Sequence, residues 1–131
     1  MDYHRGSETI LVVDDEESLR SVVVDFLSQL GYNILSAPGG HEALALAGQY
    51  SGKIDLLLTD VLMDPVPGPV LAENLIRERP DMRVIFISGY ATSALAPDGV
   101  LKPGTVLVHK PFTMKILSAK LREVLESRAS A

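Results

Sequence analysis

Five short apolar runs recur along the chain, and each has the length of a β-strand. The runs are ILVV (residues 10–13), YNILSA (32–37), IDLLLT (54–59), VIFIS (84–88) and VLVH (106–109). The first, third and fourth are almost continuously apolar, which is typical of strands that are covered on both faces. The pattern therefore predicts a parallel sheet with helices packed on each side.

The segments between these runs carry apolar residues at helical spacing. The longest pattern covers residues 16–32, and Gly31 stands where a left-handed C-terminal cap belongs. Further helical patterns cover 39–50, 69–79 and 113–126, whereas the two prolines and three glycines of residues 89–105 predict a short or irregular fourth helix. The alternation describes an α/β fold, a (βα)5 doubly wound five-stranded parallel sheet, for which we expect the strand order 2-1-3-4-5.

Composition supports one compact domain and narrows the function. A chain of 131 residues with 47% hydrophobic content can bury roughly two-thirds of its unfolded surface. We expect a flexible N-terminal arm at 1–8, one domain at 9–127 and a C-terminal tail at 128–131. The net charge of -5 argues against direct binding to nucleic acid or to an anionic membrane, and the lack of cysteine and of a secretory leader favours a cytoplasmic protein.

Polar residues with related chemistry follow the predicted strands at their carboxyl ends, where ligands bind in doubly wound sheets. They are Asp14 and Asp15 after the first strand, Asp60 after the third, Ser88 at the end of the fourth and Lys110 after the fifth. Carboxylates that converge in this way repel one another and need a cation, and oxygen ligands suit Mg²⁺ or Mn²⁺. With a lysine and a hydroxyl nearby, the set predicts a phosphoryl-binding site in which Asp60 is the candidate nucleophile. Read alone, the acidic run that begins at Asp14 could instead complement a helix dipole, and both roles are compatible.

The same residues carry a resemblance to a known family. The order ILVVDDEE, LLLTD, FISG and HKPF resembles the receiver domain of bacterial two-component response regulators over residues 9 to about 127, with the flavodoxin-like fold of chemotaxis response regulators. The amino-acid sequence near the fifth strand is similar to that of receivers in hybrid sensor histidine kinases. This resemblance implies the following roles: Asp60 as phospho-acceptor, Asp14 and Asp15 as the acidic pair of the metal site, Leu62 as a backbone-carbonyl ligand, Ser88 as the switch hydroxyl, Lys110 as the site lysine, and Pro111 in a cis peptide bond.

Two positions depart from the family pattern. Asp64 replaces the usual proline, and either a plain turn residue or an extra carboxylate near the metal fits that position. Leu107 stands where many receivers carry an aromatic switch residue, and Tyr90 is the nearby aromatic that could substitute for it.

The leading hypothesis is a signalling receiver that takes a phosphoryl group from a histidine kinase or a histidine phosphotransfer protein and catalyses only its own phosphorylation and dephosphorylation. A receiver that serves only as a docking module, a metal-dependent aspartyl phosphatase and a flavodoxin-like cofactor binder are the alternatives. The phosphatase family has an acid two residues after its nucleophile, where this chain has Leu62, and a flavin phosphate needs a Ser/Thr/Gly-rich loop where this chain has DDEE. The downstream target and homodimer formation are left open.

Overall fold

The fold is a parallel sheet with helices on both faces, seen here in a computed structural model that describes residues 5–89 and 106–126. Its strands are β1 (Thr9–Val13), β2 (Asn33–Ala37), β3 (Leu56–Asp60), β4 (Arg83–Ser88) and β5 (Leu107–His109). The helices within the described residues are α1 (Glu17–Gln29), α2 (Gly40–Gln49), α3 (Gly68–Glu78) and α4 (Met114–Glu126). The strand order is β2-β1-β3-β4-β5, which confirms the predicted fold class and order. The predicted short helix in the segment up to residue 105 lies outside the described residues.

Two apolar clusters cover the two faces of the sheet, because alternate residues of each strand point in opposite directions. Every residue of β1 and of β3 is buried, as the continuous apolar runs predict. One cluster joins Ile10 and Val12 of β1 to side chains of α1 and α4. The other joins Leu11 and Val13 to side chains of α2 and α3. The central strands are therefore covered by apolar side chains on both faces. No helix in the described residues is long and apolar enough to cross a membrane.

The ends of the described chain are tied to the body of the domain. Gly31 follows α1 with φ of 104°, which confirms the predicted left-handed cap. The Gly6 backbone N–H donates to the Leu30 carbonyl at 3.1 Å, and the Glu8 carboxylate pairs with the Arg122 guanidinium of α4 at 2.8 Å. The segment directly before β1 therefore lies between the end of α1 and the last described helix.

The register of the sheet brings the predicted site residues to one edge. Val13 of β1 lies opposite Thr59 of β3, and Asp60 lies opposite Ile87 of β4. The residues that come next in each strand direction are Asp14 and Ser88, so these side chains and Asp60 share the carboxyl edge of the sheet.

A glycine controls how closely α3 approaches this edge. At Gly68, the first residue of α3, an added Cβ would overlap the backbone carbonyl of Asp60, and the Gly68 N–H donates to the Val61 carbonyl at 2.9 Å. We predict that Gly68→Ala lowers the free energy of unfolding by roughly 1–3 kcal/mol, because main-chain atoms must move to admit the methyl group. Urea denaturation followed by circular dichroism measures the change.

Gly48 of α2 provides the matched control, since a Cβ there meets nothing within 4 Å. Gly48→Ala should leave stability unchanged or raise it by up to ~1 kcal/mol through helix propensity. Equal denaturation midpoints for the two alanine variants would show that α3 does not depend on this close approach.

Candidate functional site

Three carboxylates meet where β1 and β3 end. One oxygen from each of Asp14, Asp15 and Asp60 lies within 4.8 Å of the others. Asp14 and Asp60 are only 3% and 9% exposed, whereas Asp15 is open to solvent. At such distances each pair of negative charges repels by a few kcal/mol at an effective dielectric near 20. The expected convergence of the acidic side chains is therefore present.

Asp14 is fixed by hydrogen bonds on three sides. Its backbone N–H donates to the Ala37 carbonyl at 3.3 Å, and its carboxylate accepts the Glu16 backbone N–H at 2.9 Å. Its own carbonyl accepts a hydrogen bond of 2.7 Å from the guanidinium of Arg20. Glu16 is the N-cap of α1 but makes no side-chain capping bond, and Glu17 supplies the acidic residue of the first turn. The acidic run thus both forms the site and complements the helix dipole.

Asp60 is the last residue of β3, and its surroundings act on both its main chain and its charge. The Thr59 hydroxyl donates to the Asp60 carbonyl at 3.0 Å, and Lys110 Nζ lies 3.7 Å from Asp60 Oδ2. Burial raises the pKa of the Asp60 carboxyl to about 6, and Asp14 and Asp15 add to this effect while Lys110 opposes it. Burial also raises the pKa of Asp14. Among the described residues, Lys110 pairs with Asp60 and balances only part of the negative charge of the three carboxylates.

Lys110 reaches Asp60 from the end of β5. Its backbone N–H donates to the Ser88 carbonyl at 2.8 Å, so the ends of β4 and β5 are joined beside the site. The Lys110–Pro111 peptide bond is cis, as the family resemblance implied. Ser88 is buried at the end of β4.

The remaining sequence-predicted residues occupy more peripheral positions. Leu62, in the turn after β3, is 46% exposed. Asp64 is exposed and lies outside the group of three carboxylates, which favours a plain turn residue over an additional metal ligand. The Asp64–Pro65 peptide bond is cis. Leu107 is half-buried and packs against the apolar cluster on the α2 and α3 face. Tyr90 lies outside the described residues.

Sequence reasoning missed the residues that hold the backbone of the site. These are Thr59 and Arg20, which donate to the carbonyls of Asp60 and Asp14. A hydroxyl inside an apolar strand gives a weak signal for Thr59. The sequence signal for Arg20 is stronger. A cation at the fourth position of a helix opposes the helix dipole, so an arginine there indicates a role other than helix stabilisation.

The donor set fits a hard divalent cation. Its charged ligands would be carboxylate oxygens only, two of them largely buried and one exposed, and Mg²⁺ prefers oxygen ligands together with several waters. A cation bound there would also relieve the repulsion among the three carboxylates.

The fold and the site define the chain as a doubly wound α/β domain with an acidic, lysine-containing pocket at the strand ends. The family model for the response regulator receiver domain matches residues 10–122. The chain belongs to this family, as the order of its motifs predicts.

Relatives and solved structures agree with this assignment. The sensor kinase CckA of Brucella abortus is 36% identical over 123 residues, which are 94% of this chain and 13% of CckA. The response regulator receiver protein CpdR of the same organism is 30% identical over 116 residues, which are 88% of this chain and 95% of CpdR. The crystal structure of the receiver domain from the hybrid histidine kinase CckA superposes with a TM-score of 0.72 at 34% identity, covering 90% of this chain and 99% of that one.

A second solved structure contains Mg²⁺ and BeF. The response regulator TrrA of Thermotoga maritima was crystallised in complex with Mg²⁺–BeF, and it superposes with a TM-score of 0.73 at 28% identity over 89% of this chain and 98% of that one.

The raised pKa of Asp60 predicts a pH-dependent cost to folding in Mg²⁺-free buffer. Unfolded aspartate has a pKa of about 3.9, so the folded state binds the proton more tightly, and the stability this provides is lost as pH rises through about 6. Asp60→Asn removes that cost. We expect the variant to be more stable than wild type by roughly 1–3 kcal/mol at about pH 7.5 and by almost nothing at about pH 4.

Thermal or urea unfolding at the two pH values measures this difference. Asp25→Asn on the exposed surface of α1 is the control, because it changes the net charge equally without touching the site. An Asp60→Asn variant whose advantage does not grow with pH would contradict the electrostatic account.

Proposed function

We propose that this chain is a phosphorelay receiver that accepts a phosphoryl group on Asp60 from a histidine kinase or a histidine phosphotransfer protein and signals through a changed conformation. Two findings support this proposal. The chain belongs to the receiver family, and Asp60 lies close to two further carboxylates and to Lys110 at the strand ends. Phosphoryl transfer requires positioning and charge neutralisation above all, which the fixed carboxylates and Lys110 would provide together with a bound cation.

In the proposed reaction, a carboxylate oxygen of Asp60 bonds to phosphorus as the phosphorus–nitrogen bond to the donor histidine breaks. The imidazole nitrogen keeps the electron pair of that bond, and the product is an acyl phosphate. At neutral pH the Asp60 carboxylate is ionised and able to attack, because its pKa of about 6 lies below 7. The hydrogen bond from Thr59 and the close approach of Gly68 restrict the main chain from which the attacking oxygen projects.

Bound Mg²⁺, or Mn²⁺ in its place, supplies positive charge for the phosphoryl oxygens. We assign Asp14, Asp15 and Asp60 as its carboxylate ligands and the backbone carbonyl of Leu62 as a further one. This assignment rests on the group of three carboxylates and on the resemblance in sequence.

Lys110 and Ser88 face the incoming group in this proposal. Lys110 Nζ, 3.7 Å from Asp60 Oδ2, takes up charge on the phosphoryl oxygens, and the Ser88 hydroxyl donates to one of them as the switch residue. Tyr90 and Leu107 belong to the proposed switch region, with Pro111 shaping the turn after Lys110.

The output of this receiver is a binding surface and not a released product. Leucine at position 62, where the aspartyl phosphatase family has an acid, disfavours that activity. The presence of all three carboxylates together with Lys110 disfavours a receiver that serves only as a docking module. We accordingly propose that its catalysis is limited to its own phosphorylation and dephosphorylation.

The wider context of the chain is also part of the proposal. The chain spans 13% of CckA but 95% of CpdR, so receivers of this kind occur both within long proteins and alone. We propose a receiver at 9–127 that is preceded by the segment 1–8, of which Gly6 and Glu8 contact the domain, and followed by a tail at 128–131. It acts in the cytoplasm on protein partners. The net charge of -5 disfavours direct contact with nucleic acid or anionic lipid.

Phosphorylation by a small-molecule donor tests the function directly. With acetyl phosphate and Mg²⁺, wild type should gain the mass of one phosphoryl group by intact mass spectrometry, and removal of Mg²⁺ by chelation should abolish the gain. Asp60→Asn should remain unlabelled, because the amide is a poor nucleophile.

Asp64→Asn is the matched control, since it neutralises an exposed carboxylate four positions from Asp60. It should label as wild type does. An unlabelled wild type, or an Asp60→Asn variant that labels fully, would overturn the proposed function.

A further inference from the structure

We propose that Arg20 is a positioning residue for the metal site, acting through the main chain of Asp14. The inference rests on the proposed function, since it assigns Arg20 to the same Mg²⁺ site. Arg20 lies at the fourth position of α1, and its guanidinium donates to the Asp14 carbonyl at 2.7 Å.

The hydrogen bond is placed where it can orient a ligand. The Asp14 carbonyl belongs to the peptide unit that leads into Asp15, and it comes directly after β1 ends at Val13. A planar peptide whose carbonyl is fixed also fixes the direction of the following N–H and Cα. Asp15 is exposed, and the direction of its main chain sets the range of positions that its carboxylate can reach.

A second hydrogen bond in the same loop holds the Asp14 side chain. The Asp14 carboxylate accepts the Glu16 backbone N–H at 2.9 Å, which closes a tight loop between β1 and α1. Arg20 bridges this loop from the first turns of α1 back to the end of the strand. Rotation of the Asp14 peptide would open the loop and move two of the three carboxylates apart.

The role of Arg20 differs from that of the site lysine. In the described part of the chain, the ion pair at this site joins Lys110 to Asp60, whereas Arg20 donates to a carbonyl. A charge-assisted hydrogen bond from a half-buried guanidinium is short and directional, which suits it to holding a peptide. Its position near the start of α1 opposes the helix dipole, so helix stability alone does not explain the residue.

Mg²⁺ affinity provides the test, measured by isothermal titration calorimetry on the unphosphorylated chain. Partners that orient metal ligands typically contribute 10–100-fold in affinity, and for this indirect contact we expect Arg20→Gln to weaken binding about tenfold. Arg20→Lys keeps one donor and should fall between Arg20→Gln and wild type. Arg77→Gln, on the exposed face of α3, removes an arginine away from the site and should bind as wild type does.

A second readout needs no metal. In Mg²⁺-free buffer, the Glu16 amide should exchange its hydrogen faster in Arg20→Gln than in wild type, because the loop that protects it loosens. If Arg20→Gln does not fold, Arg20→Met replaces it in both measurements, because methionine keeps the apolar stem of the side chain.

The outcomes separate this inference from the proposed function. Mg²⁺ affinity and Glu16 exchange that match wild type in the folded variant would overturn the role of Arg20. A wild type that binds no Mg²⁺ would overturn the metal site itself, and Glu16 exchange in the metal-free variants would then still decide whether Arg20 holds the loop.

Discussion

Mutual repulsion among three carboxylates is the constraint on which the rest of this structure depends. Asp14, Asp15 and Asp60 would separate if their main chains could move, and Lys110 offsets only part of their charge. The two apolar clusters resist that separation, because they bury β1 and β3 completely from both faces. A hydrophobic core thus holds an electrostatically unfavourable arrangement of charges. Under the proposed function, the relief of this repulsion contributes to the affinity for a bound cation.

Individual contacts in the turn after β3 also hold the main chain beside Asp60. Gly68 lets the start of α3 touch the backbone of Asp60, and the side chain of Val66 lies where a Cβ on Gly40 would be. The turn is therefore packed between the first residues of two helices, and the Thr59 hydroxyl donates a hydrogen bond to the Asp60 carbonyl. Such packing restricts the main chain from which the Asp60 carboxylate projects, and under the proposed function this helps to position the nucleophile.

Sequence alone predicted the layers and the clustering of three carboxylates with Lys110, because both follow from periodicity and strand direction. Continuous apolar runs indicated the buried strands, their carboxyl ends located the polar cluster, and Gly31 marked the end of α1. The third strand was predicted at 54–59 but spans Leu56–Asp60, because Ile54 is buried without belonging to the strand ladder. The contacts of Arg20, Thr59 and Gly68 were not foreseen, since they depend on side-chain directions and backbone approach that no linear pattern encodes. The cis bond at Pro111 followed only from the family resemblance.

The connection between the site and the surface runs through Lys110. Its side chain faces Asp60, its backbone N–H holds the end of β4 at Ser88, and its carbonyl leads through Pro111 toward α4. A ligand changes a conformational equilibrium only by interacting differently with the two states. Under the proposed function, phosphorylation moves negative charge from the Asp60 carboxylate to oxygens farther from β3, so the favourable position of the Lys110 ammonium shifts with it. Because the side chain and backbone of Lys110 connect β4, β5 and the start of α4, a movement of Lys110 would alter all three elements. This route does not require an aromatic ring at position 107, which is Leu107 here.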